Sequence, residues 1–291
     1  MNRIYLDLIS IIKIFYGEIF NKKNKIITRF FRIFARFNIL SKIFLNYYLY
    51  RNSKSKLETS KNDLIIIDTE KAIKFLKEDG IFHNISLNKG VAESINSFFL
   101  KNSYFNFNRD KNKKIKFSEK ERFEGLYILS LMNPHLENKI CNDIAYNKDL
   151  IKVIQEYFGG IKPILEWSQI YWSFPLINKD GSYSEPPNNE YGFHYDIDGF
   201  KFLKVFFYLS NVDENCGPHT FVKKSGEKNY FKLINRRADD EIIKNKYSNN
   251  IIKLTGEIGQ GFIEDTSFYH KGEYPKKERG VLALLYNIST W

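Results

Sequence analysis

The sequence predicts an α+β chain whose second half forms an antiparallel sandwich or barrel. Two observations lead there. Before Gly160 the periodic stretches repeat at helical spacing and end in polar or glycine stops. After it come short runs rich in aromatic and β-branched residues, separated by turn-forming clusters. Helices first and strands second is the order of an α+β chain. The 291 residues suffice for one large β-rich domain with an appendage, or for two smaller domains. A hydrophobic share of 43%, with 16% aromatic residues, supplies a sizeable core and excludes a mostly disordered chain.

Residues 1–50 read as amphipathic helix. Ile27, Phe30, Phe31, Phe34 and Phe37 recur at helical spacing, and Arg29, Arg32 and Arg36 mark a basic face. Residues 1–56 hold twelve basic and two acidic side chains, so most of the net charge of +11 belongs to this segment and little of it to the rest. Three roles remain open for it: packing on the main domain, peripheral contact with an anionic membrane surface, or contact with a partner protein or nucleic acid, the last of these least favoured. The polar stretch 51–63 reads as a linker. It divides an N-terminal segment, 1–57, from a main domain, 58–291, whose first regular element begins near Leu64. Helices are expected over Thr69–Glu78, stopped at Asp79-Gly80, over Ser86–Lys101, capped at Ser86 or Asn88, and over Leu150–Tyr157, ended at Gly159-Gly160. The charged run Arg109–Lys116 is expected in solvent. Strands are expected at Ile161–Phe174, Phe202–Leu209, Ile251–Thr255, Gly261–Glu264 and Val281–Ile288.

Cys141 and Cys216 lie in no CxxC pattern, which argues against a zinc finger or a disulfide scaffold and for two buried thiols in a reducing compartment. The first apolar stretch is broken by Asp7, Lys13 and Glu18, and no uncharged run reaches the roughly 18 residues of a membrane span. A cytoplasmic location is expected, with the membrane surface as the alternative.

The chemistry gathers around two histidine segments. In Tyr-Gly-Phe-His194-Tyr-Asp196 the i, i+2 spacing on a strand points an imidazole and a carboxylate to one side. A second segment, Phe262 to His270, ends in another histidine 76 residues later, and Arg279 follows at the head of an apolar strand. Two neutral imidazoles and one carboxylate on one face of a cation form the facial triad of Fe(II) oxygenases, with positions left open for oxygen and an oxo-acid. The planar, permanently charged fork of Arg279 suits the far carboxylate of such an oxo-acid. Lys204 interrupts the apolar run Phe202–Leu209; it either faces a pocket and binds an acidic group, which makes it a cofactor-binding candidate beside Arg279 and Gln169, or snorkels to water. Asp198 either orients a ligand from behind or is a solvated loop residue. His219 reads as a structural or substrate-side residue, and His83 and His135 as ordinary surface or core histidines.

Over residues 64–291 the chain resembles the phytanoyl-CoA dioxygenase family of Fe(II)/2-oxoglutarate enzymes. The matching motifs are His194-Tyr-Asp196, Phe206-Phe-Tyr-Leu-Ser-Asn-Val-Asp213, Asn215-Cys-Gly-Pro-His-Thr-Phe-Val222, Asp265-Thr266 through His270, Arg279, and the helix leading into Asp79-Gly80. The turn that follows Gly217-Pro218 in the family departs here, as Val222-Lys223-Lys224-Ser225-Gly226. The resemblance implies a double-stranded β-helix (a cupin-like jelly roll) with flanking helices. It implies Fe(II) held by His194, Asp196 and His270, 2-oxoglutarate held by Arg279 with Gln169 lining its side, and O2 as the oxidant. It further implies hydroxylation of a small-molecule or lipid-linked substrate, with 2-oxoglutarate decarboxylated to succinate and CO2. Related halogenases lack the carboxylate, so Asp196 favours hydroxylation. Two other readings stand beside this one: a divalent-metal hydrolase using the same three ligands, and a non-catalytic jelly-roll module docked through its basic N-terminus.

Overall fold

A computed structural model describes residues 59–60, 63–178, 180–184, 191–226 and 236–288. The amphipathic segment 1–50 and the boundary at 57/58 lie outside the described residues. Of the expected linker, Ser60 belongs to the folded domain: its N–H donates to Tyr146 O and its own carbonyl accepts from Lys148 N.

The first half contributes more strands than its periodicity shows. β1 (Ile65–Ile67), helix α1 (Thr69–Asp79), β2 (Ile81–Leu87) and α2 (Lys89–Asn102) come first. The hairpin β3 (Tyr104–Phe107) and β4 (Asp110–Lys116) follows, then β5 (Ile128–Met132), α3 (Lys139–Ala145) and α4 (Lys148–Tyr157). The expected helix 86–101 is therefore shorter at its start. Ser86 sits in β2, and the Asn88 side chain caps α2 by accepting from Gly90 N. The charged run near 110 is a strand after all, an exposed sheet edge on which only Ile115 is buried; such lysine-rich edges resist pairing with other chains.

The second half adds β6 (Ile164–Ser173), the short pair β7 (Leu176–Ile177) and β8 (Tyr183–Ser184), β9 (Phe202–Tyr208), β10 (His219–Val222), helix α5 (Asp240–Tyr247), β11 (Ile251–Leu254), β12 (Gln260–Glu264), β13 (His270–Gly272) and β14 (Arg279–Asn287). Nine strands form one antiparallel sheet in the order β1-β2-β12-β9-β14-β6-β5-β3-β4. A second sheet runs β11-β10-β13. His194 extends the second sheet by a single antiparallel bridge to His270.

Strand alternation divides the large sheet into two faces. Leu203, Val205 and Phe207 of β9, Leu282, Leu284 and Tyr286 of β14 and Ile263 of β12 pack against α1, α2, α3 and α4 in one apolar core. Phe206, Tyr208, Phe262, Val281 and Ala283 point the other way and form a smaller cluster with Phe221 and Leu254 of the second sheet. The two sheets thus enclose an interior, the arrangement of a double-stranded β-helix. The outer core carries most of the stability, since each fully buried large apolar side chain contributes about 1.5–3 kcal/mol.

Two contacts fix the loop between β12 and β13. α1 ends at Gly80, whose φ of +81° and close approach to the Phe268 ring both exclude a side chain. The Gly80 carbonyl accepts from Asp265 N, and the Tyr157 hydroxyl at the end of α4 donates to Asp265 Oδ2 at 2.6 Å.

Candidate active site

That loop delivers His270. Its backbone exchanges two hydrogen bonds with His194, His194 N to His270 O at 2.9 Å and His270 N to His194 O at 2.8 Å. Residues paired this way carry their side chains side by side, and the two imidazole centroids are 4.5 Å apart. Asp196 N donates to Thr266 O at 2.7 Å, which brings the carboxylate to the same place. The segment 194–196 is not the regular strand expected from its spacing. It is an extended stretch whose His194 makes two isolated bridges, to His270 and to Arg237. One ligand atom from each of His194, Asp196 and His270 lies within 4.8 Å of the others.

The rings are oriented for a cation. His194 Nδ1 lies 2.9 Å from Gly192 O and His270 Nδ1 lies 2.9 Å from Phe268 O. A carbonyl only accepts, so each Nδ1 carries a proton and each Nε2 faces the cluster. Two such nitrogens and a carboxylate fit the donor set of a divalent transition metal.

Electrostatics supports that assignment. Burial, then the neighbouring His270, push the His194 pKa down to about 4, so its ring is neutral at physiological pH. Burial opposes the charged form at His270 too, but the Asp196 carboxylate outweighs it and the His270 pKa is raised. Burial also opposes the Asp196 charge, yet Lys204 and His270 prevail and hold its carboxyl well below the ordinary range. The Lys204 ammonium lies 2.6 Å from Asp196 Oδ2 and 2.9 Å from Asp198 Oδ2. Of the two readings of Lys204, the structure shows the inward-facing one, and the acids it meets belong to the chain itself.

Arg279 opens β14, opposite Ser173 of β6, and is 6% exposed. One guanidinium nitrogen donates to Gly217 O, while Nε has no hydrogen-bond partner among the described residues. Its charge bears on Tyr208 and His219, both interior residues, so the guanidinium serves the space between the sheets. Gln169 lies opposite Ala283, on the interior face with Trp167 and Tyr171, and is half-buried.

Sequence reasoning missed Glu264. It is fully buried, in phase with Phe262 on the inner face of β12, and its Oε2 is 2.9 Å from His219 Nε2, out of line for a good hydrogen bond. The His219 ring stacks on His270 at 5.5 Å and on Phe262 at 5.2 Å. Burial first, then His270 and Arg279, keep the His219 pKa low despite Glu264. Alternation from Phe262 was the available signal, but a glutamate at the end of an apolar run reads as the start of a turn. His135 is bonded to Ser168, and both cysteines are buried free thiols, as expected.

No family model and no curated protein matches the sequence. Solved structures do match in fold. EctD from S. alaskensis, solved with 2-oxoglutarate and 5-hydroxyectoine, aligns at 15% identity and a TM-score of 0.52, over 80% of this chain and 84% of that one. The same protein with bound Fe aligns at 13% identity and a TM-score of 0.50, over 81% and 85%. The alpha-ketoglutarate-dependent epimerase SnoN from nogalamycin biosynthesis aligns at 14% identity and a TM-score of 0.49, over 75% and 82%. At these identities the likeness establishes the fold alone, shared with EctD. No helix among the described residues is long and apolar enough to cross a membrane.

Proposed function

We propose that the chain is an Fe(II)/2-oxoglutarate-dependent dioxygenase of the phytanoyl-CoA dioxygenase type, hydroxylating a small-molecule or lipid-linked substrate. The observation that carries this reading is the inward convergence of two Nδ1-protonated imidazoles and one carboxylate, in an interior that also holds the buried Arg279.

His194, Asp196 and His270 are the iron ligands in this reading. Iron held by these residues would supply the O2 activation that couples oxidative decarboxylation of 2-oxoglutarate, giving succinate and CO2, to substrate hydroxylation. The chain's own part is binding and exclusion. Arg279 meets the far carboxylate of the oxo-acid with its planar guanidinium, whose Nε has no hydrogen-bond partner among the described residues. Gln169 lines the interior beside it. The aromatic walls Phe206, Tyr208 and Phe262 keep water from the reacting atoms. With these three protein ligands a bound metal would keep positions for the oxo-acid and oxygen, and Asp196 would fill the position that a halide takes in halogenases lacking the carboxylate. The basic residues 1–50 suit a substrate met at an anionic membrane surface, with the enzyme otherwise cytoplasmic.

Decarboxylation tests this without knowledge of the substrate. Purified protein given Fe(II), ascorbate and 2-oxoglutarate in air is expected to form succinate slowly, and Asp196→Ala is expected to form none. Equal succinate from both proteins would refute the assignment.

A further inference from the structure

Lys204 is placed for a task other than meeting the oxo-acid. Its neighbours Leu203 and Val205 are fully buried against the helices, so alternation turns Lys204 inward, where its side chain is 14% exposed. Its ammonium passes 5.7 Å from the centre of the Trp167 ring and ends between Asp196 Oδ2 and Asp198 Oδ2. We propose that Lys204 is a positioning residue for the metal centre: it occupies one oxygen of Asp196, leaves the other to the metal, and is itself held by Asp198. This rests on reading His194, Asp196 and His270 as the metal ligands.

Three physical points support it. A carboxylate rotates about its last bond unless something holds it, and a charge-assisted bond of 2.6 Å holds it. The oxygen not bonded to Lys204 is Oδ1, which lies 4.0 Å from His194 Nε2. The remaining demand is charge. Asp196 and Asp198 stand two residues apart with little exposure, and like charges so placed repel; the shared ammonium offsets both. His194-x-Asp196-x-Asp198 with Lys204 is thus one unit, in which the second aspartate acts through the lysine. Arg279, whose Nε has no hydrogen-bond partner among the described residues, is left as the oxo-acid anchor.

The test is a Co(II) titration followed by calorimetry and by the visible d–d spectrum, on full-length wild type, Lys204→Met, Lys204→Arg and Asp198→Asn. Folding of each is checked by circular dichroism and melting. Wild type is expected to bind one Co(II). Lys204→Met should bind it about 10–100-fold more weakly, the usual loss when support behind a ligand is removed, with an altered d–d band. Lys204→Arg should recover most of both, and Asp198→Asn should fall between. A merely structural lysine would lower the melting temperature and leave the d–d band of the bound metal unchanged. A folded Lys204→Met with wild-type affinity and spectrum overturns the proposal. So does intact Co(II) binding with only 2-oxoglutarate affinity lost, which would make Lys204 an oxo-acid anchor. If Lys204→Met does not fold, an unchanged spectrum in folded Asp198→Asn overturns it. If wild type binds no Co(II), the metal-centre reading itself fails, and this inference with it.

Discussion

Leu203, Val205 and Phe207 of β9 face the helices, whereas Lys204, Phe206 and Tyr208 face the second sheet. The same division runs through β12, where Ile263 is outward and Phe262 and Glu264 inward. The outer face is uniformly apolar. The interior between the sheets mixes aromatic residues with three histidines (His194, His219 and His270), two cations (Lys204 and Arg279) and three carboxylates (Asp196, Asp198 and Glu264). Apolar packing tolerates exchange of one side chain for another of like volume. Buried charges tolerate far less, because each depends on a particular partner. One side of the sheet therefore makes the fold and the other makes the site, and substitutions on the two sides should fail differently.

The largest functional effect is expected from Asp196→Ala on the inner face. It should abolish metal binding and turnover while circular dichroism stays native, as Lys204 keeps Asp198 as its partner. Metal content after dialysis checks this; retained metal at wild-type level would blur the division. The largest stability effect is expected on the outer face. Phe207→Ala, at a fully buried position, should cost about 3–5 kcal/mol in denaturant unfolding, through lost burial and the cavity left behind. A loss below about 1 kcal/mol would show that the helices do not rest on that face.

This division also explains what was legible in the sequence. β9 and β14 could be read because an apolar outer face and a partly apolar inner face give continuous runs. The three candidate ligands and Arg279 could be singled out because each stands in a local motif, and the fold brings His194, Asp196 and His270 together. β2 escaped because it is buried at both ends and exposed at His83 and Asn84, and because its register against β12 shifts between Gly261 and Ile263, so its alternation is broken. β4 escaped because an edge strand needs only Ile115 in the core. Glu264 and the anchoring bond from Tyr157 to Asp265 depend on contacts more than 40 and 100 residues apart, which no local pattern encodes.

A smaller effect distinguishes the faces by pH. The Asp196 carboxylate raises the His270 pKa, so in the metal-free protein His270 keeps its proton to higher pH than a free histidine. Metal must displace that proton. Co(II) affinity should therefore fall about tenfold per pH unit below the raised pKa, with one proton released on binding. Calorimetry in buffers of different ionisation enthalpy measures the release, and affinity independent of pH from 5 to 8 would contradict it. No such dependence is expected for the stability loss in Phe207→Ala.

In the proposed reading the interior binds an oxo-acid between the metal ligands and Arg279. The most direct measurement is an anaerobic titration of Fe(II) and 2-oxoglutarate, followed by the metal-to-ligand charge-transfer absorption, on wild type and Arg279→Ala. Wild type is expected to show a band that needs both components and that requires at least about tenfold more 2-oxoglutarate in the variant, the loss of a charge-assisted contact. Folded wild-type protein that binds Fe(II) but develops no band, or an Arg279→Ala titration identical to wild type, would contradict it.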